Sequence, residues 1–300
     1  MTPPVNYIVF LCYGNERVFH ECMYALLSFS RLYTAAELSN IQIWIYTDDA
    51  ARFRSFRNCP LPLFYREVDK GIIKQWRGKI DFVHRVKVEM LKDFTREWNG
   101  NIIYVDTDVV FTNRIDKMFH DIKEGKLYMH TMEGIVNRSK NPVFRKLSKY
   151  LGSTRELNGK HLNEMAMWNA GVLGFNTKYS YLLDEVLAFT DSEYPNFSKH
   201  IVEQFACSVY FQQTAVVKAA APYIFHYWNL KEAAYVLGSF FEYFKDKNWD
   251  ELAQYSSLLQ MHALMQIKVD FLHNRSATGS ILHKQWRPAI PDWGELMKQL

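Results

Sequence analysis

Two aspartates, Asp106 and Asp108, follow a run of apolar residues and are separated only by Thr107. In an extended chain, residues i and i+2 point to the same side, so the two carboxylates can converge on one point. Unpaired carboxylates among apolar neighbours are unfavourable and repel each other, and a divalent cation offsets both effects. Because hard oxygen ligands suit Mg²⁺ or Mn²⁺, the spacing predicts a metal site. The alternative is that the aspartates cap the following loop or pair with Arg114.

Two later segments carry further polar groups in apolar surroundings. Asn169 precedes Ala170-Gly171-Val172, where its amide can bind sugar hydroxyls and the glycine permits a close approach; a bulge in a crowded sheet is the alternative. His226 lies in the apolar segment 223–228, and a neutral imidazole is a suitable Mn²⁺ ligand, although a lone histidine in a strand also serves as a core residue. Both segments are candidates for the same site.

The elements that must position these groups begin with a β-α-β-α-β order in the first 70 residues. The apolar run 7–12 and the segments 41–46 and 63–68 predict strands, and the intervening segments 16–33 and 50–56 predict helices. This order predicts a parallel, doubly wound sheet that binds its ligand at the carboxyl ends of the strands. Those ends carry Tyr13, Gly14, Thr47 and Asp48, and the Tyr13 ring can stack on a nucleobase.

The rest of the chain continues the alternation less regularly. A long amphipathic helix at 81–98 precedes the strand 101–105 that ends in Asp106. Strands are predicted at 127–130, 170–175 and 223–228, helices at 141–150 and 201–212, and two amphipathic helices within 232–266. We therefore expect a nucleotide-binding domain over 1–231 and a helical extension over 232–300 that packs on it or contacts a membrane surface.

Composition excludes several classes of protein. The chain has 300 residues, of which 48% are hydrophobic and 23% charged, as expected of a globular chain with a large core. The net charge of +4 is too small for a duplex-binding protein but suits an anionic diphosphate. The four cysteines are far apart, the chain starts without a basic leader, and no apolar run reaches the ~20 residues of a membrane span. These features predict a reduced, cytoplasmic protein.

The motifs together resemble the GT-A glycosyltransferases, and in particular glycosyltransferase family 8. A strand that ends in Asp106-Thr-Asp108 follows a β-α-β half, residues 168–176 resemble the family's N-x-G-V strand, and Glu203-Gln204 resembles its D-Q pair. His226 and Lys231 resemble its C-terminal His…Lys segment, so the resemblance covers about residues 7–231. It implies a GT-A fold: a Rossmann-like, mixed but mainly parallel sheet flanked by helices, with a C-terminal helical extension.

The resemblance also implies roles for individual residues. Asp106, Asp108 and His226 would bind Mn²⁺ or Mg²⁺, with Asp106 also near the ribose. Lys231 and one basic residue of the helix at 81–98, either Arg85 or Lys87, would contact the diphosphate or the donor sugar. The catalytic face would consist of Asn169, Glu203 and Gln204, with Gln204 near the anomeric carbon. Tyr13, Gly14, Thr47 and Asp48 would hold the base and ribose.

The implied activity is metal-dependent transfer of a sugar from a nucleotide sugar, a UDP-sugar in family 8, to an acceptor hydroxyl with retention of configuration. The acceptor is a glycan, a lipid or a protein. Inverting enzymes on the same scaffold use a carboxylate base, for which Glu133 and Glu164 are candidates. Two alternatives stay open: a phosphatase of the haloacid dehalogenase type, whose first strand also ends in D-x-D, and a non-catalytic protein that binds sugar nucleotides or glycans.

Overall fold

The computed structural model describes residues 5–54, 59–274, 286–298 and 300, and has a seven-stranded sheet at its centre. The described strands are Val5–Cys12 (β1), Ile41–Thr47 (β2), Leu63–Glu67 (β3), Gly100–Val105 (β4), Val109–Phe111 (β5), Leu127–Met129 (β6), Met132–Ile135 (β7), Glu156–Leu157 (β8), Lys160–His161 (β9), Ala166–Trp168 (β10), Val172–Asn176 (β11), Val217–Ala219 (β12) and Ile224–His226 (β13).

The described helices begin and end at the following residues: Glu16–Ser30 (α1), Ala51–Arg54 (α2), Lys70–Trp76 (α3), Arg85–Glu97 (α4), Asp116–Lys123 (α5), Pro142–Leu151 (α6), Tyr181–Glu193 (α7), Ile201–Thr214 (α8), Ala233–Tyr243 (α9), Trp249–Tyr255 (α10), Met261–His273 (α11) and Trp293–Met297 (α12). Side-chain caps start several of them. The Asn15 side chain accepts from the amide of Val18 at the start of α1, and Asn248 forms a capping box with Glu251 at the start of α10.

The central sheet has the strand order β12-β6-β11-β4-β1-β2-β3. Strands β3, β2, β1 and β4 are mutually parallel, and β11 runs antiparallel to both β4 and β6. Because β12 is parallel to β6, only β11 opposes the other strands of this sheet. The predicted architecture, a mixed but mainly parallel sheet flanked by helices, is confirmed.

Both faces of the sheet are covered, which explains why its central strands consist of continuous apolar runs. On β1, Ile8 and Phe10 belong to one buried cluster, which α1 and the C-terminal helices complete. Tyr7 and Val9 point to the other face, where they pack with residues of α4, α7 and α8. The alternation along one strand thus holds the helical layers on opposite sides and leaves the carboxyl ends of the strands accessible.

Several predicted boundaries shift. The helix expected at 81–98 begins only at Arg85, and α2 covers 51–54 of the helix expected at 50–56, whose last two residues lie outside the described part of the chain. The strand expected at 170–175 begins at Val172, because Ala170 and Gly171 turn toward the candidate site. Residues 232–266 enter three helices instead of two, since the Asn248 cap and a 3-10 turn at Ser256–Leu258 interrupt the periodicity.

The C-terminal helices share the hydrophobic core of the sheet domain. Phe240, Trp249 and Trp293 are at most 2% exposed and belong to the same cluster as α1 and β1. The Tyr24 hydroxyl of α1 donates to the carbonyl of Leu259 at 2.6 Å. A domain boundary at residue 231 stays a prediction, and part of the extension, residues 275–285, lies outside the described residues. Among the helices of the described residues, none has the length and apolar character needed to cross a bilayer.

Candidate active site

Asp106, Asp108 and His226 meet at the carboxyl end of β4. After β4 ends, the chain turns through Asp106-Thr107-Asp108 into β5, which pairs antiparallel with β13 so that His226 lies opposite Val109. The imidazole Nε2 of His226 is 3.1 Å from Asp108 Oδ1 and 3.7 Å from Asp106 Oδ2. One ligand atom from each of the three residues lies within 4.8 Å of the others. The short β5–β13 ladder therefore brings together residues that are 118 positions apart in sequence.

Hydrogen bonds around Asn169 determine which nitrogen of His226 faces the aspartates. The Asn169 Nδ2 donates to Glu133 Oε1 at 3.2 Å, so its Oδ1 is the acceptor for the amide of Gly171 and for His226 Nδ1, each at 3.0 Å. An oxygen that only accepts requires a proton on His226 Nδ1. In the neutral imidazole, Nε2 then carries a lone pair directed at two carboxylates, and a proton or a metal cation between them removes the repulsion. Two carboxylates and an oriented imidazole lone pair therefore fit a divalent metal.

Gly171 makes room for the His226 ring. A Cβ atom at this position would overlap the imidazole Cε1, Nδ1 and Nε2 atoms. The backbone of Gly171 is also fixed, because its carbonyl accepts from the amide of Asp106 at 2.8 Å. The sequence predicted a close approach at Gly171, and the group that approaches it is the imidazole of His226.

Replacing Gly171 by alanine is expected to weaken metal binding by more than about tenfold, because the new methyl displaces the His226 ring. The measurement is the Mn²⁺ concentration at which the melting temperature rises by half of its maximum. Gly238→Ala on α9 is the control, since a Cβ there meets nothing within 4 Å. An unchanged Mn²⁺ midpoint in Gly171→Ala would show that His226 is not a ligand.

Asp106, Asp108 and His226 are called the triad from here on. Lys87 and Glu203 form a buried ion pair beside it. Lys87 Nζ lies 3.0 Å from Glu203 Oε1 and donates to the carbonyl of Ala170 at 3.0 Å. Burial opposes the charge on Lys87, but the carboxylates of Glu203 and Asp106 outweigh it and raise the pKa of the lysine above its usual value. Lys87 is thus a cation held beside Asp106 and close to Tyr104, whose hydroxyl donates to Asp106 at 2.5 Å.

The structure separates the two basic residues proposed on the helix before β4. Lys87 lines the cleft, whereas Arg85 points toward α7, where its guanidinium binds Asp191 at 2.7 Å and Glu89 at 2.7 Å. Arg85 therefore holds α4 to α7. Lys231 is 60% exposed, and its ammonium lies 3.9 Å from Asp108 Oδ2, within reach of the triad.

A cavity of about 410 Å³ lies on the β1 side of the triad. Tyr13 and Gly14 line it, and both carboxylate oxygens of Asp48 accept from the amide of Gly14 at 3.2 and 3.1 Å. Thr47 is fully buried, and its hydroxyl accepts from the amide of Asp49 at 3.2 Å. Asp48 and Thr47 thus shape the loops that end β1 and β2, while Tyr13 and Gly14 lie at the cavity surface.

A second cavity of about 930 Å³ lies on the other side of the triad. It is lined by Asn169, Glu203 and Gln204, all three of which were expected on the catalytic face. The two cavities share four lining residues, His84, Lys87, Asp106 and Asp108. The metal-ligand candidates thus lie where the cavities join.

Glu133 connects Gln204 to the triad. Its Oε2 accepts from Gln204 Nε2 at 2.8 Å, and its Oε1 accepts from Asn169, which orients His226. The other candidate base, Glu164, is exposed, and it is not among the described residues that line the two cavities.

Replacing Glu133 by glutamine is expected to weaken Mn²⁺ binding by about tenfold, because one of its two oxygens becomes an amide that opposes another amide. The measurement is the Mn²⁺ midpoint of the melting-temperature rise, with Glu164→Gln as the control. A catalytic base would behave differently: its loss would lower turnover and leave the Mn²⁺ midpoint unchanged. That result would contradict the positioning role of Glu133.

Two residues at the site were missed by sequence reasoning. Glu21 is 4% exposed, and its carboxylate lies 3.4 Å from both Arg17 Nε and Thr107 Oγ1. Burial, followed by the negative charge of Asp108, raises the pKa of Glu21 to about 7. On a helix, Arg17 and Glu21 have the spacing of a surface ion pair, so no sequence signal marks the glutamate. The second missed residue is Trp228. The available sequence signal for it was its position two residues after His226, a candidate metal ligand.

Several known structures are similar to this chain at low sequence identity. The glycosyltransferase GlyE of Streptococcus pneumoniae matches 84% of this chain at 14% identity with a TM-score of 0.50, and the match spans only 62% of GlyE. Mouse xyloside xylosyltransferase 1 matches 72% of the chain and 85% of its own length at 14% identity and a TM-score of 0.46. Core-mannan synthase A of Aspergillus fumigatus, in its Mn/GDP form, matches 75% of this chain and 75% of its own length at 10% identity and a TM-score of 0.47.

The fold is that of the GT-A glycosyltransferases. No family profile and no curated protein matches the sequence, so the resemblance to family 8 stays a prediction. The D-x-D motif follows β4, behind three strands of the same sheet, whereas the phosphatase alternative requires it on the first strand. The fold therefore does not favour that alternative.

Proposed function

We propose that this protein is a metal-dependent glycosyltransferase that transfers a sugar from a UDP-sugar to an acceptor hydroxyl. One observation carries the proposal: the Asp106–Asp108–His226 triad lies where two cavities join, at the carboxyl end of a GT-A sheet. Asp106, Asp108 and the Nε2 of His226 would hold Mn²⁺ or Mg²⁺. When bound, the cation would neutralise the diphosphate and act as a Lewis acid toward the leaving group.

The cavity beside β1 suits the nucleoside. Its Tyr13 ring offers a face for stacking a pyrimidine base, and the amide of Gly14 lies at its surface. Lys231 is exposed and 3.9 Å from Asp108, so its ammonium would pair with a phosphate oxygen beside the triad. The diphosphate would then bridge from this cavity to the triad, and the donor sugar would project into the larger cavity.

The larger cavity suits the reacting sugar. Gln204, held by Glu133, would contact the donor near the anomeric carbon, and Asn169 and the Lys87–Glu203 pair would form the floor. The acceptor oxygen forms a bond to the anomeric carbon while the bond to the β-phosphate oxygen breaks. The bonding electrons leave with the nucleoside diphosphate, and the hydroxyl proton passes to a phosphate oxygen.

The hydrogen bonds and ion pairs of the carboxylates support transfer with retention of the anomeric configuration. Among the described residues that line the larger cavity, Asp106 and Asp108 belong to the triad, Glu133 accepts from two amides, and Glu203 pairs with Lys87. None of these four is free to act as the general base that an inverting enzyme needs.

The test is a thermal-shift panel of UDP-, GDP- and CMP-sugars with and without Mn²⁺. We expect a UDP-sugar to raise the melting temperature only when Mn²⁺ is present, because both bind the folded protein at one joint site. Slow Mn²⁺-dependent release of UDP from the same sugar nucleotide would separate an enzyme from a non-catalytic binding protein. If no nucleotide sugar gives a metal-dependent shift, the proposed function is wrong.

A further inference from the structure

The larger of the two cavities has more volume than a donor sugar fills. Its volume of about 930 Å³ lies at the upper end of the roughly 300–1,000 Å³ typical of pockets that enclose a whole small-molecule ligand. Residues from β7, the start of α6, the start of α8 and the segment after β13 form its walls. There is room for an acceptor beside the transferred sugar.

The charged groups of this cavity cluster around the triad. Lys87 pairs with Glu203, and Lys231 lies beside Asp108. Glu133 is linked to His226 through Asn169. Apart from these groups and the triad itself, the described residues that line the cavity include no acidic side chain, no lysine and no arginine.

The remaining walls are uncharged and largely apolar, with two histidines, His84 and His200, also at the lining. They include Met132, Asn141, Val143, Phe144, Ile201 and Trp228. Two of the apolar side chains are well exposed, Met132 at 53% and Trp228 at 47%. Because both line the same cavity, they give its wall an apolar surface that is accessible to a ligand. Trp228 follows the metal-ligand candidate His226 by two residues, so its ring lies close to the reaction centre.

We infer that the acceptor is a neutral glycoside with an apolar face or aglycone, which stacks on Trp228 and lies along the Met132–Phe144 wall. An aromatic ring covers the apolar CH face of a sugar well. A carboxylate or phosphate on the acceptor would lose part of its hydration without gaining a free ammonium or guanidinium partner among the described lining residues, because Lys87 pairs with Glu203 and Lys231 would pair with the diphosphate. This inference rests on the proposed function, since it concerns the second substrate of the same site.

The experiment compares acceptors that differ in one feature. Neutral p-nitrophenyl hexosides and xylosides are compared with p-nitrophenyl glucuronide, which adds one carboxylate, and with methyl glycosides, which lack the aryl group. Binding to the protein loaded with UDP and Mn²⁺ is measured by saturation-transfer difference NMR, and transfer by acceptor-dependent UDP release. We expect at least one neutral aryl glycoside to bind and react about tenfold better than its methyl analogue. The glucuronide should do neither.

The matched variants are Trp228→Ala and Trp228→Phe. The alanine variant is expected to lose about tenfold in acceptor affinity, and the phenylalanine variant to keep most of it, because a ring face remains. The Mn²⁺-dependent melting shift by the UDP-sugar is the control for folding and donor binding.

Preferential use of the glucuronide, no binding by any neutral glycoside, or wild-type acceptor affinity in Trp228→Ala would each overturn the inference while the donor shift persists. Loss of the donor shift in the wild-type protein would instead overturn the proposed function, and the inference with it.

Discussion

Replacing Asp108 by asparagine is expected to abolish Mn²⁺-dependent binding of the nucleotide sugar and to leave the protein folded. Loss of residues that merely orient a metal ligand costs about 10–100-fold in metal affinity, so loss of a ligand carboxylate should cost at least about 100-fold. Asparagine keeps the shape of the side chain but removes one negative charge from the triad. The measurement is the melting temperature at increasing Mn²⁺, with and without the UDP-sugar.

The metal-free stability of the same variant gives an independent check. Asp108 Oδ1 lies 3.1 Å from His226 Nε2, which carries a lone pair when the imidazole is neutral and protonated on Nδ1. At a pH where the ring is neutral, the amide of an asparagine can donate to that lone pair, so the variant without metal should melt at or above the wild-type temperature. Asp246→Asn, an exposed change in the turn between α9 and α10, is the control for charge alone. A wild-type Mn²⁺ response in Asp108→Asn would contradict the metal assignment.

Replacing Lys87 by methionine is expected to lower the free energy of unfolding by about 3–5 kcal/mol, because it leaves a buried carboxylate without its counter-ion. Glu203 is 2% exposed, and among the described residues it accepts, besides Lys87, only the weak thiol donor of Cys207 at 3.4 Å. Methionine fills a similar volume, so the loss reports charge pairing and not a cavity. Urea denaturation followed by circular dichroism measures the change.

Lys92→Met on the same helix is the matched control for Lys87→Met. Lys92 pairs with Asp184 at the surface, where the two side chains are 29% and 60% exposed, and such pairs contribute about 0–1 kcal/mol. The double variant Lys87→Met, Glu203→Gln should recover part of the loss, since it removes both buried charges. Equal losses in Lys87→Met and Lys92→Met would show that the buried pair contributes nothing beyond a surface pair.

The sequence by itself determined the order of strands and helices and the identity of the metal-ligand candidates. A continuous apolar run such as 102–105 indicates a buried strand or a buried helix segment, and its short length and the turn residues before it favour the strand. Spacing then places Asp106 and Asp108 together. These are local properties, because they depend on residues within a few positions of one another.

Tertiary structure decided what depends on distant pairings. Sequence did not distinguish Arg85 from Lys87, since both are basic residues on one helix; the packing of α4 against α7 directs Arg85 to Asp191 and leaves Lys87 under the cleft. Likewise, nothing local separates Glu133 from Glu164, and only the fold brings Glu133 to Asn169 and Gln204. Motifs indicated which groups could do chemistry, and the three-dimensional packing selected those that meet at the triad.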